Sequence, residues 1–357
     1  MKTYDYQMGN MKFMDANYAD GRLLFFDTLS KEFYSFDMNK EELSHVKLLE
    51  RDGLDMECPR RIIRDRDDLY IIQASSCVIY HFKCTLLGLV YVEKIIAEEF
   101  EGGVKEAFLY VGMLWIIPTS ANKKAAVLDI MNNHLKYVSL TNKGKVCGGL
   151  FDAVVCDNSY LYISFMEGSN IYRIDMIDES IRVFDTGISE AIGGIAFNKG
   201  NVLLRVKGGD VVYSYDLRNN TVRTIAKKET KCEEFGRVRV LNNGTIILCP
   251  VYGNDFYYID DSNKKILPVK VVTSISRDNS STFTIGTVEH NESLYVFPWS
   301  GEKMVKISKH GNCWEAREIP FVMSEENYIL CLKDRMISEQ IIMEQENMSI
   351  REFVKLL

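Results

Sequence analysis

Residues 153–184 decide the fold. Ala153-Val154-Val155-Cys156 reads as a short apolar strand, and Asp157-Asn158-Ser159 as a turn of residues that favour tight backbone bends. Leu161-Tyr162-Ile163-Ser164-Phe165 is a second strand, and Glu167-Gly168-Ser169-Asn170 a second turn. Ile171-Tyr172-Arg173-Ile174 follows, then Asp175 opens a third turn, and Ile181-Arg182-Val183-Phe184 closes the unit. Four short strands with turn signals between them predict an antiparallel meander.

The second strand of this unit returns along the chain. Leu23-Leu24-Phe25-Phe26, Leu69-Tyr70-Ile71-Ile72, Leu114-Trp115-Ile116-Ile117, Leu161-Tyr162-Ile163-Ser164, Val202-Leu203-Leu204-Arg205, Ile246-Ile247-Leu248-Cys249 and Leu294-Tyr295-Val296-Phe297 make seven copies, spaced by about 45 residues. That period is the one expected of propeller blades. A lone four-stranded meander has two apolar faces and cannot bury both. Packing the units radially buries each face on a neighbour and leaves only short edges. The expected fold is therefore all-β, a seven-bladed β-propeller of four-stranded antiparallel blades, with six or eight blades if a terminal unit is misread. Residues 1–320 form the propeller in this reading, and residues 321–357 a C-terminal extension. The extension is expected to end in a short amphipathic helix, because Ser349-Ile350-Arg351-Glu352 matches a capping box and Ile350, Phe353, Val354 and Leu357 keep helical spacing. Asn327–Leu332 reads equally as strand or helix.

The third strands carry a Tyr-x-apolar-Asp pattern. Asp37, Asp129, Asp175, Asp216 and Asp260 recur at one position, with Lys83 and Ser308 in the other two slots. Tyr34, Tyr80, Tyr172, Tyr213 and Tyr257 stand three residues before that position. An aspartate repeated in blade after blade is expected to serve the turn by accepting from the backbone N–H groups that follow it. Trp115 aligns with Tyr70, Tyr162 and Tyr295 inside a strand and is assigned to packing.

On these residues the chain resembles the broad β-propeller superfamily, in particular the propellers related to WD-repeat, Kelch and NHL proteins, over roughly residues 8–319. The Trp-Asp ending of WD blades is missing. Gly102-Gly103, Gly148-Gly149, Gly193-Gly194 and Gly208-Gly209 do not share one blade position, as Kelch glycines would, and no Ser-x-Asp-x-Gly box occurs. The resemblance implies a fold and a funnel lined by first strands. It transfers no functional residue.

A net charge of −7 weighs against a general nucleic-acid binder, which needs a basic face. No run of 18 apolar residues is present, so no membrane span is expected, and Met1–Gln7 lacks the apolar core of a signal peptide. The chain reads as a cytoplasmic monomer. Its nine cysteines are scattered, odd in number and without a Cys-x-x-Cys, which suits reduced thiols rather than disulfides or metal. The histidines, His45, His81, His134, His290 and His310, show no metal-pair spacing. No cofactor fingerprint, nucleophile elbow or phosphate loop appears.

Charge at the start of the first strands is the remaining signal. Arg60 and Arg61, Lys105 and Glu106, Asp152, and Arg237 with Arg239 stand where the chain enters strands expected near the ring axis. Arginine forks there suit an anionic or sugar-like ligand, while mutual ion pairing would explain the same residues structurally. Tyr252 and Trp299, in loops after second strands, are candidates to stack on such a ligand, and Phe165 falls in the equivalent region. Cys147, between Lys145 and Gly148, is the one thiol on an expected ligand-face loop. Three readings compete, one of them a partner-tail protein whose terminal helix docks elsewhere. Another is a non-catalytic binding or scaffold propeller that recognises a protein or a small polar or anionic ligand on the funnel face. The third is a propeller enzyme, a lyase or hydrolase, acting on a saccharide or another anionic small molecule.

Overall fold

The computed structural model describes residues 6–7, 11–12, 15–49, 54–76, 78–140, 149–198, 200–207, 211–227, 235–250, 255–260, 264–272, 284–298, 300–301 and 303–338. Within them the chain is β-structure plus one helix, Glu325–Ser338. The strands fall into four-stranded antiparallel runs that follow one another along the chain, at 16–46, 59–96, 104–139, 151–184, 192–227, 235–268 and 284–320. The fourth run matches the quoted stretch: Phe151–Asp157, Tyr160–Phe165, Ile171–Asp175 and Ile181–Phe184 pair in order. The runs at 192–227 and 235–268 are joined at their outer strands into one eight-stranded sheet by a parallel contact, Lys227 beside Lys265.

The hydrophobic clusters show how the runs are arranged. Phe26, Phe33, Ile62 and Phe82 join the first run to the second, and Tyr70, Ile79, Ile116 and Leu128 join the second to the third. The pattern continues around the chain, each cluster shared by two consecutive runs. The last cluster combines Tyr295, Phe297, Met304 and Ile319 with Phe25, Tyr34 and Phe36, so the end of the chain packs on its beginning. This is a propeller arrangement, and the apolar faces that a lone meander would expose are covered by neighbours.

The closure is reinforced by polar contacts. Met11 and Lys12 pair with Gly301 and Ser300, and Met323 pairs with both Tyr6 and Leu43. Glu41 of the first run accepts from Lys306, at 3.1 Å, and from Arg317. Val322–Met323 thus belongs to the first sheet, and the helix that follows lies over its outer strand. Cys331 sits in the shared core, and Asn327 donates to Glu42 at 3.0 Å. The helix occupies the stretch that sequence left open between strand and helix; the one expected near residue 350 lies outside the described residues.

The repeated aspartates do what a turn requires. Asp37 Oδ1 accepts from the Asn39 and Lys40 amides at 3.0 and 3.1 Å, and Asp216 Oδ1 from Arg218 and Asn219 at 2.8 and 3.1 Å. Asp129 repeats the arrangement with Met131 and Asn132, and Asp175 Oδ1 accepts from the Ile177 amide at 2.9 Å. The repeated tyrosines are less uniform. Tyr34 and Tyr80 are fully buried, whereas Tyr172 is half-buried against Phe165. Trp115 is buried, as its strand position predicts.

Candidate functional site

The first strands begin in the same way in six of the runs. Pairing with the second strand slips by one residue at Pro59/Arg61, Val104/Glu106, Phe151/Ala153, Ile192/Gly194, Phe235/Arg237 and Thr284/Gly286. A bulge sets two residues opposite one and re-aims their side chains. Its extra residue is Arg60, Lys105, Asp152, Gly193, Gly236 or Ile285, and the next residue is Arg61, Glu106, Ala153, Gly194, Arg237 or Gly286. Neighbouring first strands contact one another from the first run to the sixth. The candidates Arg60, Arg61, Lys105, Glu106, Asp152 and Arg237 therefore stand at one level around the inner ring.

The structure divides these residues into paired and unpaired. Arg61 is the hub of the paired set. Its guanidinium makes a two-pronged bond to Glu106 and a third contact to Asp15 Oδ1 at 3.1 Å. The second Asp15 oxygen accepts the Ile62 amide at 2.9 Å. The Arg61 side chain is only 9% exposed. Burial pulls its pKa down, but Glu106 and Asp15 outweigh burial and hold it above the usual arginine value. For Glu106 burial pushes upward, and Arg61, with smaller help from Arg237 and Arg60, brings it below the usual glutamate value. Burial lifts the Asp15 carboxyl, with Arg61 and the Ile62 amide pulling the other way. For Arg61 and Glu106, mutual ion pairing is the observed arrangement.

The other cations differ. No hydrogen bond or ion pair to Arg237 occurs among the described residues. Burial, then the nearby Arg239, Arg61 and Arg60 guanidiniums, push its pKa down to about 9, with Glu106 opposing. It stays protonated at neutral pH. Arg60 donates to the Lys105 carbonyl at 3.2 and 3.3 Å, and burial and Arg61 lower its pKa. Burial also lowers Lys105, with Asp152 opposing the change and Arg60 and Arg237 adding to it. Arg239 donates to Thr287 and is lowered by burial. Asp152 Oδ2 is buried without a hydrogen bond among the described residues, 3.8 Å from Lys207 Nζ.

Three residues of this ring were not nominated from sequence. Asp15 precedes Arg60 by 45 residues, the blade period, and that spacing was the available signal. Lys207 lies beyond the second strand and reaches back to the Met166 carbonyl at 2.7 Å. Arg205 is buried and donates to the Gly193 carbonyl. A Cβ at Gly193 would collide with the Arg205 guanidinium, so the glycine clears the space that Arg205 fills.

Tyr252, Trp299 and Cys147 lie outside the described residues. Phe165 ends the second strand, as its sequence reads, and is buried edge-on against Phe151 at 5.2 Å, which removes it from the ligand-face region with which it was also grouped. No histidine joins the ring among the described contacts. His45 pairs with Glu32, His81 with Asp68 and Glu93, and His290 with Tyr18 and Asn39. Among the described residues no group of three His, Cys, Asp or Glu is placed to hold a metal ion, and no helix is long and apolar enough to cross a membrane.

Neither a protein-family model nor a curated protein matches the sequence. Solved structures match the fold. A streptogramin B lyase structure is 12% identical with a TM-score of 0.59, over 83% of this chain and 93% of that one. A catalytically inactive virginiamycin B lyase from Staphylococcus aureus with quinupristin is 10% identical with a TM-score of 0.62, over 87% and 99%. Hsv2 from Kluyveromyces lactis is 9% identical with a TM-score of 0.60, over 86% and 98%. These neighbours are propeller proteins, an enzyme among them. At such identities the likeness shows the fold alone, and a fold of this kind does not choose a function.

Proposed function

We propose that this chain is a seven-bladed binding propeller whose axis takes a small anionic ligand. The blade count draws on the seven four-stranded runs and on the core clusters that join each run to the next and the last to the first. The observation that carries the function is Arg237, a half-buried guanidinium without a hydrogen bond or ion pair among the described residues, its one nearby carboxylate, Glu106, being bonded to Arg61, with Arg60, Lys105 and Arg239 around it. A buried unpaired charge is costly for a fold. An anion entering the ring would relieve that cost, and cations gathered between low-dielectric walls focus field toward the axis. The basic ring stands in a chain whose net charge is −7, so the positive potential is local.

The enzyme reading draws on Asp15, the carboxyl that burial lifts. Both of its oxygens already accept bonds, from Arg61 and from the Ile62 amide. That ties it to holding Arg61 rather than to moving a proton, and it favours binding over catalysis.

The test is titration of the full chain with inorganic phosphate and with citrate at low salt. Both should bind, and binding should raise the melting temperature through mass action. Arg237→Met should abolish both effects. Unchanged anion binding in that variant would remove the axis as the site.

A further inference from the structure

Among the described residues the ring holds seven cationic side chains, Arg60, Arg61, Lys105, Arg205, Lys207, Arg237 and Arg239, against three carboxylates, Asp15, Glu106 and Asp152, an excess of four positive charges. A neutral sugar leaves that excess untouched, and a monoanion cancels a quarter of it. A phosphate monoester carries close to two negative charges at neutral pH and three strong acceptor oxygens. The guanidinium fork matches such a group, and an ammonium adds a point charge to it.

The second observation has the opposite sign. Asp152 Oδ2 is a buried acceptor without a hydrogen bond among the described residues. It stands at the bulge of the fourth run and is electrostatically coupled to Lys105, which is itself coupled to Arg60 and Arg237. A bare oxyanion offers nothing to this oxygen and is repelled by it. A group that donates, a hydroxyl, satisfies it. The ring thus asks for negative charge on one side and a hydrogen-bond donor beside it.

We propose that the axis binds a polyhydroxylated phosphate ester, its phosphate against Arg237, Lys105 and Arg60 and one hydroxyl donating to Asp152. This deepens the anion-site reading and rests on it. The occupant's class follows from two features of different chemistry, a charge excess and a carboxylate oxygen that Lys207 approaches only to 3.8 Å, beyond hydrogen-bond reach, and a sugar phosphate meets both together.

The experiment is isothermal titration of the full chain, at neutral pH and low salt, with glucose 6-phosphate, inorganic phosphate, glucuronate and glucose as probes. Glucose 6-phosphate should bind about tenfold tighter than inorganic phosphate, the scale of one charge-assisted hydrogen bond. It should also bind tighter than glucuronate, and glucose should bind weakest. Asp152→Ala should bring the ratio of glucose 6-phosphate to phosphate affinity close to one. Asp157→Ala, at the far end of the same strand, should keep it tenfold. Equal affinities for glucose 6-phosphate and phosphate in the unmodified chain, or a preserved ratio in Asp152→Ala, overturn this proposal while the anion site stands. Equal affinities for glucuronate and glucose 6-phosphate overturn the assignment to a phosphate ester. Failure of every anion to bind overturns the anion site as well.

Discussion

Arg61→Met removes the hub of the inner ring while keeping much of its length. The guanidinium is 9% exposed and satisfies Glu106 with two bonds and Asp15 with one. Deleting one partner of a buried ion pair leaves a charge in a medium that cannot solvate it, at about 3–5 kcal/mol. With two carboxylates stranded, the expected loss is about 4 kcal/mol, or roughly 5 °C of melting temperature in a chain this long. The loss should depend on pH, and the sign can be worked out. In the unmodified protein Glu106 titrates below its ordinary value. It contributes stability that is present above the unfolded pKa and is lost as pH falls through the folded one. In Arg61→Met, burial acts on Glu106 and Asp15 with their main counter-charge gone, which raises both above their unfolded values. Such groups destabilise at neutral pH and recover on protonation. The gap between the two proteins should therefore narrow from pH 7 toward about pH 5. Adding Glu106→Leu to Arg61→Met should restore more than half of the loss, because a buried pair is replaced by apolar groups. Urea denaturation at both pH values reads all of this. A loss below about 1 kcal/mol that ignores pH would mean the cluster is solvated, and the division into paired and unpaired cations would fall with it.

Three further outcomes follow from particular contacts. Gly286→Ala places a methyl into the Phe297 ring beside the bulge of the last run, and overpacking of this kind should cost about 1–3 kcal/mol, read as a lower denaturation midpoint. The Cys249 thiol, buried opposite Arg237 and pushed by burial up to about 12, should resist alkylation at pH 8 in the native protein, whereas exposed Cys313 should react; peptide mapping that finds Cys249 modified first would contradict its burial. Glu41→Gln weakens the contacts that Lys306 and Arg317 make across the closure, and should lower stability by roughly 1 kcal/mol at low salt, with the difference shrinking as salt is added.

Much of the fold was legible because its signals are local. The short apolar run Leu161–Phe165 and turn residues on either side specify a strand wherever they recur, and the Asp175 type of turn is made by a residue and an amide next to it. The site was legible only as positions. Arg60, Arg61 and Arg237 could be placed at the start of first strands, yet sequence could not divide them, since the partners of Arg61 lie about 45 residues away on either side, at Asp15 and Glu106. The bulges were hidden for a related reason. One extra residue leaves the alternation of Ile62, Leu69 and Ile71 intact, and only pairing shows which residue is doubled. Gly193-Gly194 failed as a Kelch-like sign because its role is steric: it makes room for Arg205, a side chain that sequence placed in an apolar strand.

The central claim is that Arg61 holds the ring together and Arg237 waits for an anion. The most direct test is the paired measurement of stability and phosphate binding in Arg237→Met. A guanidinium that burial and its neighbours destabilise is a burden to the empty protein, so its removal should leave the denaturation midpoint unchanged or higher while phosphate binding is lost. A lower midpoint with phosphate binding intact would show that Arg237 is a structural residue with partners of its own, and would contradict the account.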